Sequence, residues 1–269
     1  MNKIKLIIIG ISLLLMLSGC FHIERVINVN KDGSGTIEET VLMTQQFIDQ
    51  MKKMAAGFGG GKSEEKTDES EYHDVEALER DAYKMGENVE YVSSKPIKKD
   101  GKLGYHIIYS FTDVSKLTLE ENPSDKIMSS SGMGEDKQDL VFKFKKGKTP
   151  ELTIIFPQIE DEDDYEEVSD TASNVSEEDI EMMKAMYAGM KLSVKVKVDG
   201  KIVSTNATHK DKNEATLTDM DFDVIMQNEE ALQILGGSKD SNDDELKRSM
   251  ENIKGFKADM NDKVVIKFK

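Results

Sequence analysis

The segment Leu192-Ser193-Val194-Lys195-Val196-Lys197-Val198 alternates apolar and polar side chains without a break. A period of two puts the valines on one face of a strand and the lysines on the other, which a helix of about 3.6 residues per turn does not do. Such a strand buries one face and wets the other, so the chain must supply a sheet and a cover for one side of it. Weaker versions of the pattern recur. Ile23–Asn30 and Thr36–Met43 flank the turn cluster Lys31-Asp32-Gly33-Ser34-Gly35 and predict a β-hairpin. Leu140–Phe144 and Leu152–Phe156, joined through Lys145-Lys146-Gly147-Lys148, predict a second. Val89–Ser93 and Leu103–Phe111 border the turn region around Pro96 and Lys99-Asp100-Gly101, while Asp199-Gly200-Lys201 leads into Ile202–Ala207. Ala215–Asp219, Met220–Phe222 and Val264–Phe268 complete the strands.

Helical spacing appears over Gln45–Ala56, where Phe47, Ile48, Met51 and Met54 share a face. It returns over Ser70–Met85, with Val75, Leu78, Ala82 and Met85 aligned before a stop at Gly86. Ser176-Glu177-Glu178-Asp179 is an N-cap with an acidic first turn, opening a helix whose stripe is Ile180, Met183, Met186, Tyr187 and Met190. Asn228–Leu235 and Ser241–Ile253 are two more. The expected fold class is α+β: a mostly antiparallel sheet built from hairpins, with amphipathic helices packed on one face. Three stretches are expected to stay outside the core as flexible acidic or Gly/Ser-rich segments, near 57–70, 122–138 and 158–176. The last carries Glu160-Asp161-Glu162-Asp163-Asp164-Tyr165-Glu166-Glu167, a run read as a solvated face.

Composition narrows the functions. The formal charge is −16, which argues against nucleic acid, since that partner demands phosphate-neutralising Lys and Arg. The same excess argues against electrostatic adhesion to an anionic bilayer. Only 38% of residues are hydrophobic and Trp is absent, so a core requires the acidic stretches to stay outside it. Gly57-Phe58-Gly59-Gly60-Gly61-Lys62 lacks P-loop spacing and runs into acids that repel phosphate; it reads as a linker, and no cofactor is expected. His22, His73, His106 and His209 show no metal-ligand spacing, and no Gly-x-Ser-x-Gly elbow is present. The chain is therefore not expected to be an enzyme.

One loop fits a metal template as well as a hairpin. Asn28, Asn30, Asp32, Gly33 and Glu39 fall at positions one, three, five, six and twelve of an EF-hand Ca²⁺ loop. Asn at the first position leaves that loop short of charge, and its flanks read as strands rather than helices.

The N-terminus carries the address. Lys3 and Lys5 precede a greasy run that ends in Leu17-Ser18-Gly19-Cys20, which contains the chain's single cysteine. A positive n-region, a short apolar core and small residues before a cut make a signal peptide, here residues 1–19. The run is shorter than the ~20 apolar residues of a spanning helix. Leu-Ser-Gly-Cys resembles the lipobox of bacterial lipoproteins, and that resemblance implies that Cys20 is lipidated as the first residue of the mature protein. Residues 20–269 then form one ectodomain, tethered by acyl chains. With Cys20 modified, no thiol is left for a disulfide, and the fold must hold by packing alone.

Gly200-Lys201-Ile202-Val203-Ser204-Thr205-Asn206-Ala207, followed by Asn213, resembles a pattern in LppM-like bacterial lipoproteins, as does Val29–Gly35 just after the cysteine. The resemblance implies an α/β ectodomain with a lipid-binding cavity and brings no catalytic residues. The expectation is a membrane-anchored, exported lipoprotein with a non-enzymatic binding or structural role in the cell envelope, partnered by an envelope protein or lipid. If the source has two membranes, the expected address is the outer membrane or cell surface. The alternative is a hydrophobic-ligand module with its cavity under the Met-rich helices at 45–56 and 177–190; the third reading is Ca²⁺ binding through 28–39.

Overall fold

A computed structural model describes residues 21–49, 72–124, 139–157, 187–235 and 249–269, together with Ile180, Glu181 and Lys184. The first hairpin forms where the alternation predicts it. β1 (Phe21–Val29) and β2 (Gly35–Met43) pair antiparallel from Phe21↔Met43 to Val29↔Gly35. Their turn is fixed by Asp32, whose Oδ1 accepts from the Ser34 N–H at 3.0 Å, and by Gly33 at φ 90°. β3 (Val89–Lys99) and β4 (Lys102–Phe111) form a second hairpin through Asp100 (φ 51°) and Gly101 (φ 74°). A two-residue turn with both central φ positive matches the right-handed twist of its strands.

β8 (Lys191–Val198) lies parallel to β1, from His22↔Lys191 to Val29↔Val198. With β10 (His209–Lys210) and β11 (Glu214–Asp221) the sheet runs β10-β11-β8-β1-β2-β4-β3, and β12 (Phe256–Ala258) pairs the far half of β11. A second sheet, ordered β5-β6-β7-β13-β9, collects β5 (Thr118–Glu120), β6 (Asp139–Lys145), β7 (Glu151–Ile155), β9 (Ile202–Thr205) and β13 (Lys263–Phe268).

The pairing is mostly antiparallel, as expected, but the strands divide between two sheets, and the second sheet packs against the first. Ile27, Val29, Ile37, Ile107, Tyr109 and Val196 of the first sheet share one core with Leu140, Phe142, Leu152, Ile154, Ile266 and Phe268 of the second. Each fully buried Val, Leu, Ile or Phe contributes about 1.5–3 kcal/mol, so this interface dominates the packing. Val264–Phe268, predicted as a closing strand, sits inside the second sheet between β7 and β9. α1 (Val75–Ala82) and the 3-10 turn Tyr83–Met85 add Leu78, Ala82 and Met85 to the same core. Val75, expected inside, is exposed.

Two local expectations also shift. Met220–Phe222 is not a separate strand: β11 runs to Asp221 and turns directly into α2 (Phe222–Ile225). β12 carried no clear alternation and went unpredicted. Asn228 caps α3 (Glu229–Leu235), its Oδ1 accepting from the Ala231 N–H at 3.1 Å. The flexible segments near 57–70 and 158–176, nearly all of 122–138, and most of the helices at 45–56, 176–190 and 241–253 lie outside the described residues. Within those helices, residues 45–49, Ile180, Glu181, Lys184 and Tyr187 are helical.

Candidate functional site

β1 fixes where everything else stands relative to Cys20. It starts at Phe21, so one end of the first sheet begins one residue after the cysteine, which itself lies outside the described residues. Met43, Leu103, Lys191 and Asp221 close their strands at this same end, by their registers with β1, β2 and β8.

Along β1 the inward positions are Phe21, Ile23, Arg25, Ile27 and Val29. Ile27 and Val29 belong to the two-sheet core, while Phe21 and Ile23 belong to a second apolar cluster with Val41, Met190, Leu192, Phe222, Met226 and Leu232. Phe47, Ile180 and Tyr187 pack against that cluster, so parts of both Met-rich helices converge on it. Phe21 and Phe47 approach to 5.6 Å between ring centroids, and Tyr187 stacks on Phe222 at 5.1 Å. At the edge of the cluster opens a depression of about 500 Å³ with Phe222, Met226, Leu232 and Ala188 as its apolar lining and Lys184, Asp223, Gln227 and Glu229 as its polar lining.

Between the two clusters stands Arg25, 1% exposed. Its Nε donates to Glu39 Oε1 at 2.6 Å, and its Nη1 donates to the Glu120 carbonyl at 2.9 Å. Nη2 lies 3.7 Å from Glu120 Oε2 and makes no hydrogen bond among the described residues. Burial, with the Glu39 charge second, pushes the hydroxyls of neighbouring Tyr105 and Tyr109 far above the usual phenol range. Tyr109 Oη donates to the Leu78 carbonyl at 3.1 Å, tying this polar layer to α1. A buried pair of this kind is weak evidence for stability but costly to break from one side. The signal was present in the sequence: Arg25 occupies an inward position of an alternating strand. Its second partner is 95 residues away, which no local pattern reveals.

The metal template disperses. Asn28 is on the outward set of β1 and Glu39 on the inward set of β2, so the two lie on opposite faces of one sheet. Asn28 Nδ2 donates to Thr36 Oγ1 and Glu38 Oε1, Asn30 Nδ2 donates to Ser34 Oγ, and Glu39 is engaged by Arg25. Of the four candidate ligands only Asn30 and Asp32 share the turn. Strand flanks cannot wrap six or seven oxygens around one ion as a helix-flanked loop does. Among the described residues no group of three or more His, Cys, Asp or Glu is placed to hold a metal.

The histidines stay apart. His106 Nδ1 is 3.1 Å from Thr40 Oγ1 on the outward face. His73 Nε2 is 2.7 Å from Ser94 Oγ, which also meets Tyr91 Oη at 2.8 Å. His22 is lowered from its usual range by burial, with Lys102, Lys191 and Lys99 adding to the effect and Glu24 opposing it. Among the described residues no helix is long and apolar enough to cross a membrane.

No family model and no curated protein matches the chain. Among solved structures, it is similar to the NMR structure of the folded domain of the Mycobacterium tuberculosis LppM protein. The identity is 8%, the match covers 74% of this chain and 82% of that one, and the TM-score is 0.32. Similarity at that level fixes neither a fold nor a ligand for this chain.

Proposed function

We propose that this chain is an exported bacterial lipoprotein, held to a membrane through a lipidated Cys20, whose ectodomain has a non-enzymatic binding or structural role in the cell envelope. The observation that carries the reading is the junction at Cys20. Leu17-Ser18-Gly19-Cys20 ends the signal-like run, and β1 begins at the next residue with Phe21 already buried at 5% exposure. A chain cut before Cys20 has no spacer, so the acyl chains would hold the Phe21 end of the first sheet at the bilayer surface. Two or more acyl chains give stable anchoring where one is marginal.

Substituting Cys20→Ala tests this in the source cell. The wild-type protein is expected to fractionate with membranes and to incorporate a clickable fatty acid, and the variant to lose both. A wild-type protein that takes up no label and washes off membranes would sink the reading.

A second reading is favoured by the depression over Phe222, Met226 and Leu232. It lies at the anchored end, beside the cluster on which the two Met-rich helices converge, and an apolar floor with a charged rim suits an amphiphile. Native mass spectrometry of residues 20–269 after exposure to an envelope lipid extract tests it. A discrete mass released as lipid on denaturation is expected; a bare polypeptide mass removes this reading and leaves the first intact.

A further inference from the structure

We propose that the depression over Phe222, Met226 and Leu232 receives one acyl chain of the lipid on this chain's own Cys20, so that bilayer and ectodomain share the anchor. This rests on the reading above that Cys20 is lipidated, and adds where one of its chains lies. The backbone sets the anchor beside the depression. The Cα of Cys20 is one peptide bond, about 3.8 Å, from that of Phe21. Phe21 is buried in the same cluster as Phe222, Met226 and Leu232, which form the apolar lining. The rows across the first sheet give the path. β1 and β8 run parallel from His22↔Lys191, and β11 meets β8 at Asp221↔Lys191. One step nearer the anchor stand Phe21, Met190 and Phe222, and the Phe222 N–H donates to the Met190 carbonyl at 3.1 Å. Phe222 is thus two strand spacings, roughly 10 Å, from Phe21. The acyl chains of one leaflet cover about half of a ~30 Å hydrocarbon core. A chain of that length hung from Cys20 reaches the depression and can lie along it.

The lining chooses among apolar ligands. A volume of about 500 Å³ suits one slender apolar group. Of the four polar residues at the rim, Asp223 and Glu229 are carboxylates and Lys184 is the one cation. Lys184 Nζ already lies 3.6 Å from Glu181 Oε1, while Asp223 Oδ1 accepts from the Gly189 N–H at 2.6 Å and Glu229 stands exposed. A free fatty acid or an anionic phospholipid would add another negative headgroup beside these acids, which is unfavourable. An acyl chain in ester or amide linkage brings no charge, and the linkages of an acylated cysteine stay with Cys20.

A chain in the depression and a chain in the bilayer are both out of water, so moving between them changes little apolar exposure. The grip on the membrane then depends on how many chains remain in it. A single chain gives only marginal, reversible binding. A doubly acylated anchor that lends one chain to the ectodomain therefore holds the bilayer loosely, and one that keeps both holds it firmly.

The test uses the full chain made in the source cell, fed a fatty acid that carries both a photoreactive diazirine and an alkyne. Illumination of intact membranes, followed by peptide mass spectrometry, is expected to find the Cys20 lipid joined to the peptides that hold Ala188 and residues 222–232. Ala188→Trp fills the depression without removing a packed side chain. It should lose most of that cross-link, with label uptake and melting temperature unchanged. Val203→Trp, at an exposed position of β9 in the second sheet, should cross-link as wild type. Labelled protein whose cross-links reach only bilayer lipid overturns the proposal and leaves the anchor reading standing. An equal cross-link in Cys20→Ala also overturns it, since the occupant would then be a free envelope lipid. A wild-type protein that takes up no label overturns both.

Discussion

Arg25 is the residue on which the interior turns. Truncation to Met removes a guanidinium that faces Glu39 and Glu120 and leaves carboxylates in the core without it. Breaking a buried pair from one side costs about 3–5 kcal/mol, so Arg25→Met is expected to lower stability by that order in urea unfolding. Arg25→Met/Glu39→Leu should recover much of the loss, since an apolar pair of similar volume avoids the desolvation that both charges carry. A double variant no better than Arg25→Met would show that Glu120 is the partner that matters. His22 makes the opposite kind of prediction, through pH. Its folded-state value lies below the model-peptide value of 6.5, so the unfolded chain binds the proton more readily. By linkage, stability is full above that value and falls as the pH drops through the imidazole range. Thermal melts from neutral to mildly acid pH should show this decline, and His22→Asn should reduce it.

At the scale of elements, local pattern and long-range assignment part company. The β1–β2 hairpin was legible because its alternation and its Asp-Gly-containing turn lie within some twenty consecutive residues. The partition into two sheets was not. β8 and β9 are neighbours in sequence with similar composition, yet one joins each sheet, and only pairing with β13 decides that for β9. Met220–Phe222 read as strand to its end because Phe222 is apolar; the backbone turns instead into α2 at Phe222, which is buried together with Ile225. The helical spacing at 45–49 and at Ile180, Glu181, Lys184 and Tyr187 was legible, but the convergence of Phe47, Ile180 and Tyr187 on one cluster depends on contacts that no stripe encodes. Caps and turns offer quantitative checks. Asp74 Oδ1 accepts from the Ala77 N–H at 3.1 Å at the start of α1. Asp74→Ala is expected to cost about 1 kcal/mol, the usual effect of losing such a cap, read as a lower urea midpoint with an unchanged slope. Gly33→Ala should cost more than ~1 kcal/mol, because φ is 90° and the new Cβ would lie 2.7 Å from the Phe144 ring of the second sheet. That glycine lets a turn of one sheet lie against a strand of the other.

On the scale of the whole molecule the chain has two unlike ends. The end where β1 begins carries the apolar cluster and its depression; the other gathers turns rich in exposed lysine. The outward face of the first sheet joins them with partly exposed ion pairs, each contributing about 0–1 kcal/mol. Raising salt should therefore change the melting temperature little.

The parallel pairing of β1 with β8 carries a consequence for how the protein is made. β1 is the first strand to emerge and forms its hairpin with β2 at once, but its other edge stays open until residues 191–198 have followed. If the chain is exported N-terminus first, as the proposed function has it, the emerged hairpin presents a bare β1 edge that invites pairing with other chains. Closure over so long a loop is slow relative to hairpin formation. The interval between the two events is when that edge most needs covering, and pulse-labelled hydrogen exchange during refolding should find the β1–β2 amides protected before those of β8.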